Sequence, residues 1–151
     1  LSVVLKCLEE VKPRSRTDIR AVLEDLGRYL KRRGLIIIIS DFFDQDQEVI
    51  ESLKYYRFRK HEVIVFHILD PAEIELPFKD VVNFWDMERE EEFLTQPELI
   101  RESYREELMK FIGNYKYRCR EADIDYWQMD TSVPLDYSLG AYLFRRQKTV
   151  A

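Results

Sequence analysis

Apolar residues recur along this chain with two alternating periods, and the switches between them predict its elements. Val3, Val4, Cys7, Leu8 and Val11 fall three and four apart, the spacing of one helix face, and Pro13 ends the pattern. Thr17-Asp18 opens a second helix with the stripe Ile19, Val22, Leu23, Leu26 and Leu30, and Gly34 is its expected cap. The run Leu35-Ile36-Ile37-Ile38-Ile39 has no polar break. Such a run predicts a strand covered on both faces, as in a parallel sheet under helices. Asp44 and Gln47 have capping-box spacing for a third helix, which turns Val49, Ile50, Leu53 and Tyr56 inward. Residues 63–69 form a second apolar strand that ends at Asp70-Pro71. A helix between two such strands implies a right-handed parallel crossover.

The middle of the chain changes character. Residues 71–77 read as a loop, and 81–85 with 92–95 read as a hairpin around a charged turn. Thr95 and Glu98 have capping-box spacing, with Pro97 in the first turn. The longest helix follows over 97–121, carried by Leu99, Ile100, Tyr104, Leu108, Phe111, Ile112 and Tyr115. Residues 124–129 are a third strand, more polar and so nearer an edge, and 135–146 a last helix with Leu139, Tyr142 and Leu143 inward. Alternation of strands and helices places the chain in the α/β class, with a mostly parallel sheet, helices on both faces and a small β-hairpin.

Composition narrows the class of partner. With 151 residues and 46% hydrophobic content, the chain is read as one packed domain or part of one. A formal charge of −5 argues against nucleic acid or an anionic membrane as the main partner. The basic clusters at 31–33, 57–60 and 145–146 each fall at a predicted helix end, where cations complement the last carbonyls. Cys7 and Cys119 have no metal-ligand spacing and fit a reducing, cytoplasmic setting. The five-residue run from Leu35 to Ile39 is far shorter than the ~18 residues of a membrane span. The chain starts in mid-pattern at Leu1, which reads as a fragment of a larger protein.

Three acids close the three predicted strands: Asp41, Asp70 and Asp130. In open α/β sheets ligands bind outside the carboxyl ends of strands, which makes Asp41 the best-placed polar group. Aspartates also start turns and cap helices, the reading given to Asp70 and Asp130. The four glycines, at 27, 34, 113 and 140, make no phosphate-binding loop, and no GxSxG elbow occurs. His67, in mid-strand, is read as a satisfied core histidine. The surviving constellation is Thr17 with Asp41, a hydroxyl and a carboxylate suited to a hard cation such as Mg²⁺.

The stretches Arg16-Thr17-Asp18-Ile19, Arg33-Gly34-Leu35, Ile39-Ser40-Asp41-Phe42-Phe43-Asp44 and residues 61–71 resemble the DUF58 family of von Willebrand factor A-like proteins, as do 125–135. The resemblance implies a three-layer, Rossmann-like von Willebrand A fold, present here in part. It makes Thr17 the second-loop threonine and Asp41 the third-loop aspartate of a metal-ion-dependent adhesion site. The first-loop DxSxS occurs nowhere in the chain, so the site is expected to be incomplete and the opening strands to lie upstream. No cofactor is expected for this chain, although Mg²⁺ would suit the intact domain. The family further implies a bacterial protein encoded beside MoxR-type AAA+ ATPases, with a role in assembly or maturation of other proteins. A parent protein with a membrane anchor is compatible with that likeness.

The leading expectation is therefore a non-enzymatic protein-interaction module. Its binding face would gather Thr17, Asp41, Phe42, Phe43, Asp44 and Asp70, the two phenylalanines as aromatic anchors. The rival is a metal-dependent hydrolase or phosphotransfer domain using Asp41, helped by Asp44 and Asp70. A third expectation is self-association of an inactive fragment through an open edge at residues 35–40, by a shared sheet or a swapped N-terminal helix. With two ligand candidates, excess Mg²⁺ or Mn²⁺ is expected to leave the thermal midpoint unchanged. A clear rise in differential scanning fluorimetry would refute this.

Overall fold

A computed structural model of the chain describes residues 2–11, 19–43, 47–86 and 91–150. Its centre is β2 (Glu62–Leu69), whose Val63, Ile64, Val65, Phe66 and His67 are all buried. Two parallel strands flank it, β1 (Leu35–Ser40) and β5 (Asp125–Asp130), giving the order β1-β2-β5. Leu35 pairs with Glu62 and Ser40 with His67 on one side; Ile64 pairs with Asp125 and Leu69 with Asp130 on the other.

Helices cover both faces. One face carries Ile36, Val63 and Val65 against Leu23 of α2 (Ile19–Tyr29), Val49, Ile50, Leu53 and Tyr56 of α3 (Gln47–Phe58), and Tyr115 and Cys119 of α5 (Pro97–Glu121). The other carries Ile64, Phe66 and Met129 against Tyr142 of α6 (Leu135–Val150). The predicted inward stripe of α3 is fully buried, at 0–2% exposure, because four residues spaced by three and four face one sheet. A Cβ at Gly27 would lie 3.3 Å from the Tyr56 hydroxyl, which donates to the Leu23 carbonyl where α2 and α3 cross. The hairpin β3 (Val82–Asp86) and β4 (Glu91–Thr95) stands apart as a two-stranded antiparallel sheet. The described side chains of α1 (Ser2–Glu10) are all exposed. None of the described helices is long and apolar enough to cross a membrane.

Several expectations are corrected. The isoleucine-rich strand, outermost among the described strands, is covered on one face and not on both: Leu35, Ile37 and Ile39 are 52%, 47% and 68% exposed, while Ile36 is 5% exposed. The reason is coverage, since the cluster beneath α6 draws its sheet residues from β2 and β5. Residues 71–75 form a short helix, α4 (Pro71–Glu75), where a loop was expected. Its capping box uses Asp70 and Glu73, with Pro71 in the first turn. At α5 the cap residue is Gln96 and no side chain caps it, so the Thr95–Glu98 pair is not used. No glycine has a positive φ; Lys60 and Asp123, after α3 and α5, take the left-handed turns instead. Gly34 serves through its carbonyl, which accepts from Glu62 N–H at 2.9 Å. In α5, Leu99 is 78% exposed, and in α6, Leu143 is 50% exposed, so both stripes are narrower than expected.

The one-sided burial of β1 separates two isoleucines of equal size. Ile36→Ala should cost about 2–5 kcal/mol, and Ile39→Ala less than about 1 kcal/mol, in urea unfolding. Equal losses would contradict the one-sided cover.

Candidate functional site

Because β1, β2 and β5 are parallel, their carboxyl ends share one rim, and Asp41, Asp70 and Asp130 all lie there. Their roles differ. Asp70 Oδ1 accepts Ala72 N–H at 2.8 Å and Oδ2 accepts the Thr131 hydroxyl, so both oxygens serve the α4 cap and the turn after β5. These donors, Thr131 foremost, hold its carboxyl below the usual carboxylate range. Asp130 Oδ1 accepts both the backbone N–H and the hydroxyl of Ser132, at 2.8 and 2.6 Å. These two acids build turns.

Asp41 is exposed, and its Oδ1 receives one long backbone bond, from Phe43 N–H at 3.4 Å. The chain reverses beside it at Phe42, whose φ of 61° lies in the left-handed region, a costly conformation for a bulky residue. Three contacts hold it there. Phe42 N–H donates to Ser40 Oγ at 3.1 Å, its ring packs on Tyr115 at 4.9 Å, and the ring of His67 meets its edge at 5.4 Å. The kink sends consecutive aromatics opposite ways. Phe42 is 1% exposed and belongs to the core, so it is unavailable as a surface anchor. Phe43 is 47% exposed and stacks on Phe111 at 6.3 Å with 5° between the rings. Phe43 and Phe111 line a cleft of about 460 Å³ together with Tyr104, Glu107, Lys110 and Asn114 of α5.

Beneath the rim, His67 is fully buried, and both its nitrogens have partners. Nε2 lies 2.9 Å from the Asp41 carbonyl oxygen and Nδ1 lies 2.7 Å from the Tyr126 hydroxyl. A carbonyl only accepts, so Nε2 carries the proton and Nδ1 takes the hydrogen of Tyr126. Burial lowers the His67 pKa from its ordinary 6.5, and the bond to Asp41 opposes this more weakly. Burial likewise raises Tyr126 and pushes the Cys119 thiol up to about 12. The expected satisfied histidine is thus a tie between the sheet centre and the backbone of the rim acid.

Of the candidate site residues, Asp41 and Phe43 meet at the rim, with Asp70 on the same edge; Thr17 and Asp44 lie outside the described residues. Among the described residues no group of three or more His, Cys, Asp or Glu side chains converges on one point. Sequence reading missed the α5 side of the cleft. Tyr104, Leu108 and Phe111 share the spacing of a core stripe, and only the outward turn of Phe43 makes part of that stripe a cleft wall.

A mostly parallel three-stranded sheet between helices, with an acid-tipped rim beside an aromatic cleft, makes the chain a mixed α/β protein. The family model described as "Protein of unknown function DUF58" matches residues 1–111, and the chain belongs to that family. It is 34% identical over 64 residues to the "Uncharacterized protein MAV169" of Mycobacterium avium, a match covering 41% of this chain and 36% of the relative. No solved structure matches.

The depressed His67 pKa ties stability to pH. The unfolded chain takes up this proton first as pH falls through about 6.5, so the folded state loses stability from there downward and keeps it above. Urea unfolding at pH 7.5 and 5.5 should show that loss, and His67→Gln should reduce the difference. A pH dependence unchanged by the substitution would count against this assignment.

Proposed function

We propose that this chain is a non-enzymatic protein-interaction module that docks a partner at the strand-end rim. The observation that carries the reading is Phe43, half-exposed and stacked on Phe111 at the mouth of an aromatic cleft with a polar border. Such a surface accepts an apolar or aromatic anchor, while the surrounding charges of Glu107 and Lys110 set its orientation. A left-handed phenylalanine held by three separate contacts makes that surface preformed, which lowers the cost of binding.

The partner we propose is a MoxR-type AAA+ ATPase, with the pair acting in assembly or maturation of other proteins. The parallel β1-β2-β5 rim supports a von Willebrand A-like reading of the domain, in which partners bind at this same end. A cytoplasmic setting accords with Cys7 and Cys119, both free, one exposed and one buried.

Phe43→Ala should weaken capture of the purified MoxR-type ATPase from the same genome by roughly tenfold or more in surface plasmon resonance. Phe58→Ala, removing a ring that is 84% exposed on α3, should leave it unchanged. Equal binding by both variants and the parent chain would sink the proposal.

A further inference from the structure

A cleft of about 580 Å³ opens at the end of the sheet opposite the acid rim, where Glu62 and Asp125 begin β2 and β5. Its walls come from α3, β2, α5, β5 and α6, and they carry five cations against three carboxylates in a chain whose formal charge is −5. Each carboxylate is taken by one arginine: Arg57 pairs with Asp123, Arg145 with Asp125 and Arg146 with Glu62. Lys116 and Arg120 remain, one turn apart on α5, and neither is paired with an acid among the described residues. Like charges at this spacing repel. The ordinary use of such cations, complementing helix-end carbonyls, is already filled by the backbone. The carbonyls of Arg118, Cys119 and Arg120 accept from the N–H groups of Ala122, Ile124 and Asp123 at 3.1, 2.8 and 3.1 Å. Arg57, on another wall, adds a buried Nε–H without an acceptor, and buried donors are normally paired by protein, water or an ion.

We infer that this cleft binds the phosphate group of a small phosphorylated molecule, with Lys116 and Arg120 as its principal contacts. A phosphate monoester carries between about −1.5 and −2 charges at pH 7, which matches two uncompensated cations. An ammonium beside a guanidinium suits it, the one as a point charge and the other as a fork of donors. Arg145 is held in place by Asp125 and by the Trp127 ring, whose centre lies 4.6 Å from the guanidinium carbon, so it forms a fixed wall. The volume falls within the roughly 300–1,000 Å³ of small-molecule sites. A nucleic acid would need cations along a track of successive phosphates, and here they are gathered in one cleft of an acidic chain. An acidic polypeptide would run its carboxylates past Glu62, Asp123 and Asp125, whereas phosphate concentrates the same charge in one group. The cleft lies at the other end of the sheet from Phe43, so this inference and the partner reading stand or fall separately.

Isothermal titration calorimetry of the full chain with inorganic pyrophosphate, at ionic strength held constant with KCl, tests it. The parent chain should bind at a single saturable site. Lys116→Gln and Arg120→Gln should each weaken binding roughly tenfold, and the two together should abolish it. Arg28→Gln, which removes an exposed cation on α2, should leave it unchanged. Without ligand, the double variant should melt no lower than the parent, because it relieves a repulsion, and circular dichroism checks that each variant is folded. Absence of saturable binding up to roughly 10 mM pyrophosphate overturns the inference. So does binding that survives the double variant, or a double variant that melts below the parent, which would make the two cations structural. A hexaglutamate peptide that binds as tightly as pyrophosphate overturns it in favour of an acidic polypeptide.

Discussion

Everything in this fold is arranged around a strand that must be dry on both sides. β2 presents Val63 and Val65 to one helical layer and Ile64 and Phe66 to the other, and none of them is more than 7% exposed. A strand buried in this way needs hydrogen-bonded neighbours on both edges and helices above and below, since an unpaired backbone group in that environment is costly. β1 and β5 supply the edges, α2, α3 and α5 one roof, and α6 the other. The rim is a by-product of that arrangement. Three parallel strands end together, so their terminal acids arrive on one edge whether or not each has a use there.

Two of the three acids are consumed by the fold. Asp70 joins the α4 cap to the turn after β5, and Asp130 closes that turn onto Ser132. Asp41 differs because its neighbour Phe42 is inverted, which leaves the carboxylate outside while its own carbonyl reaches inward to His67. One residue thus offers its side chain to solvent and its backbone to the core. That double engagement fixes where Phe43 stands, and through it the shape of the cleft against α5.

The sequence shows much of this and hides a specific part. α3 and α5 are legible because their apolar positions repeat at helical spacing, and β2 because an unbroken apolar run stands between turn signals. The hairpin is legible from two short runs around a charged turn. By contrast, residues 35–39 and 63–69 look alike as strings, and what distinguishes them is how far α6 extends over the sheet. That is a tertiary fact. Gly34 signals a left-handed cap, yet the left-handed positions fall on Phe42, Lys60 and Leu76, residue types that carry no such signal, and on Asp80 and Asp123, which share theirs with many ordinary turns. The opposite fates of Phe42 and Phe43 follow from one of these, so the cleft could not be read from composition or spacing.

The tie from Tyr126 through His67 to Asp41 spans the sheet from its far strand to the exposed turn. A random mutagenesis screen for loss of partner capture would therefore return interior positions among its hits. A change at Tyr126, half-buried on the far strand, would release the turn that aims Phe43 and mimic the phenotype of a contact residue. Epitope maps drawn for this domain by mutation alone would extend inward past the molecular surface, along that aromatic column.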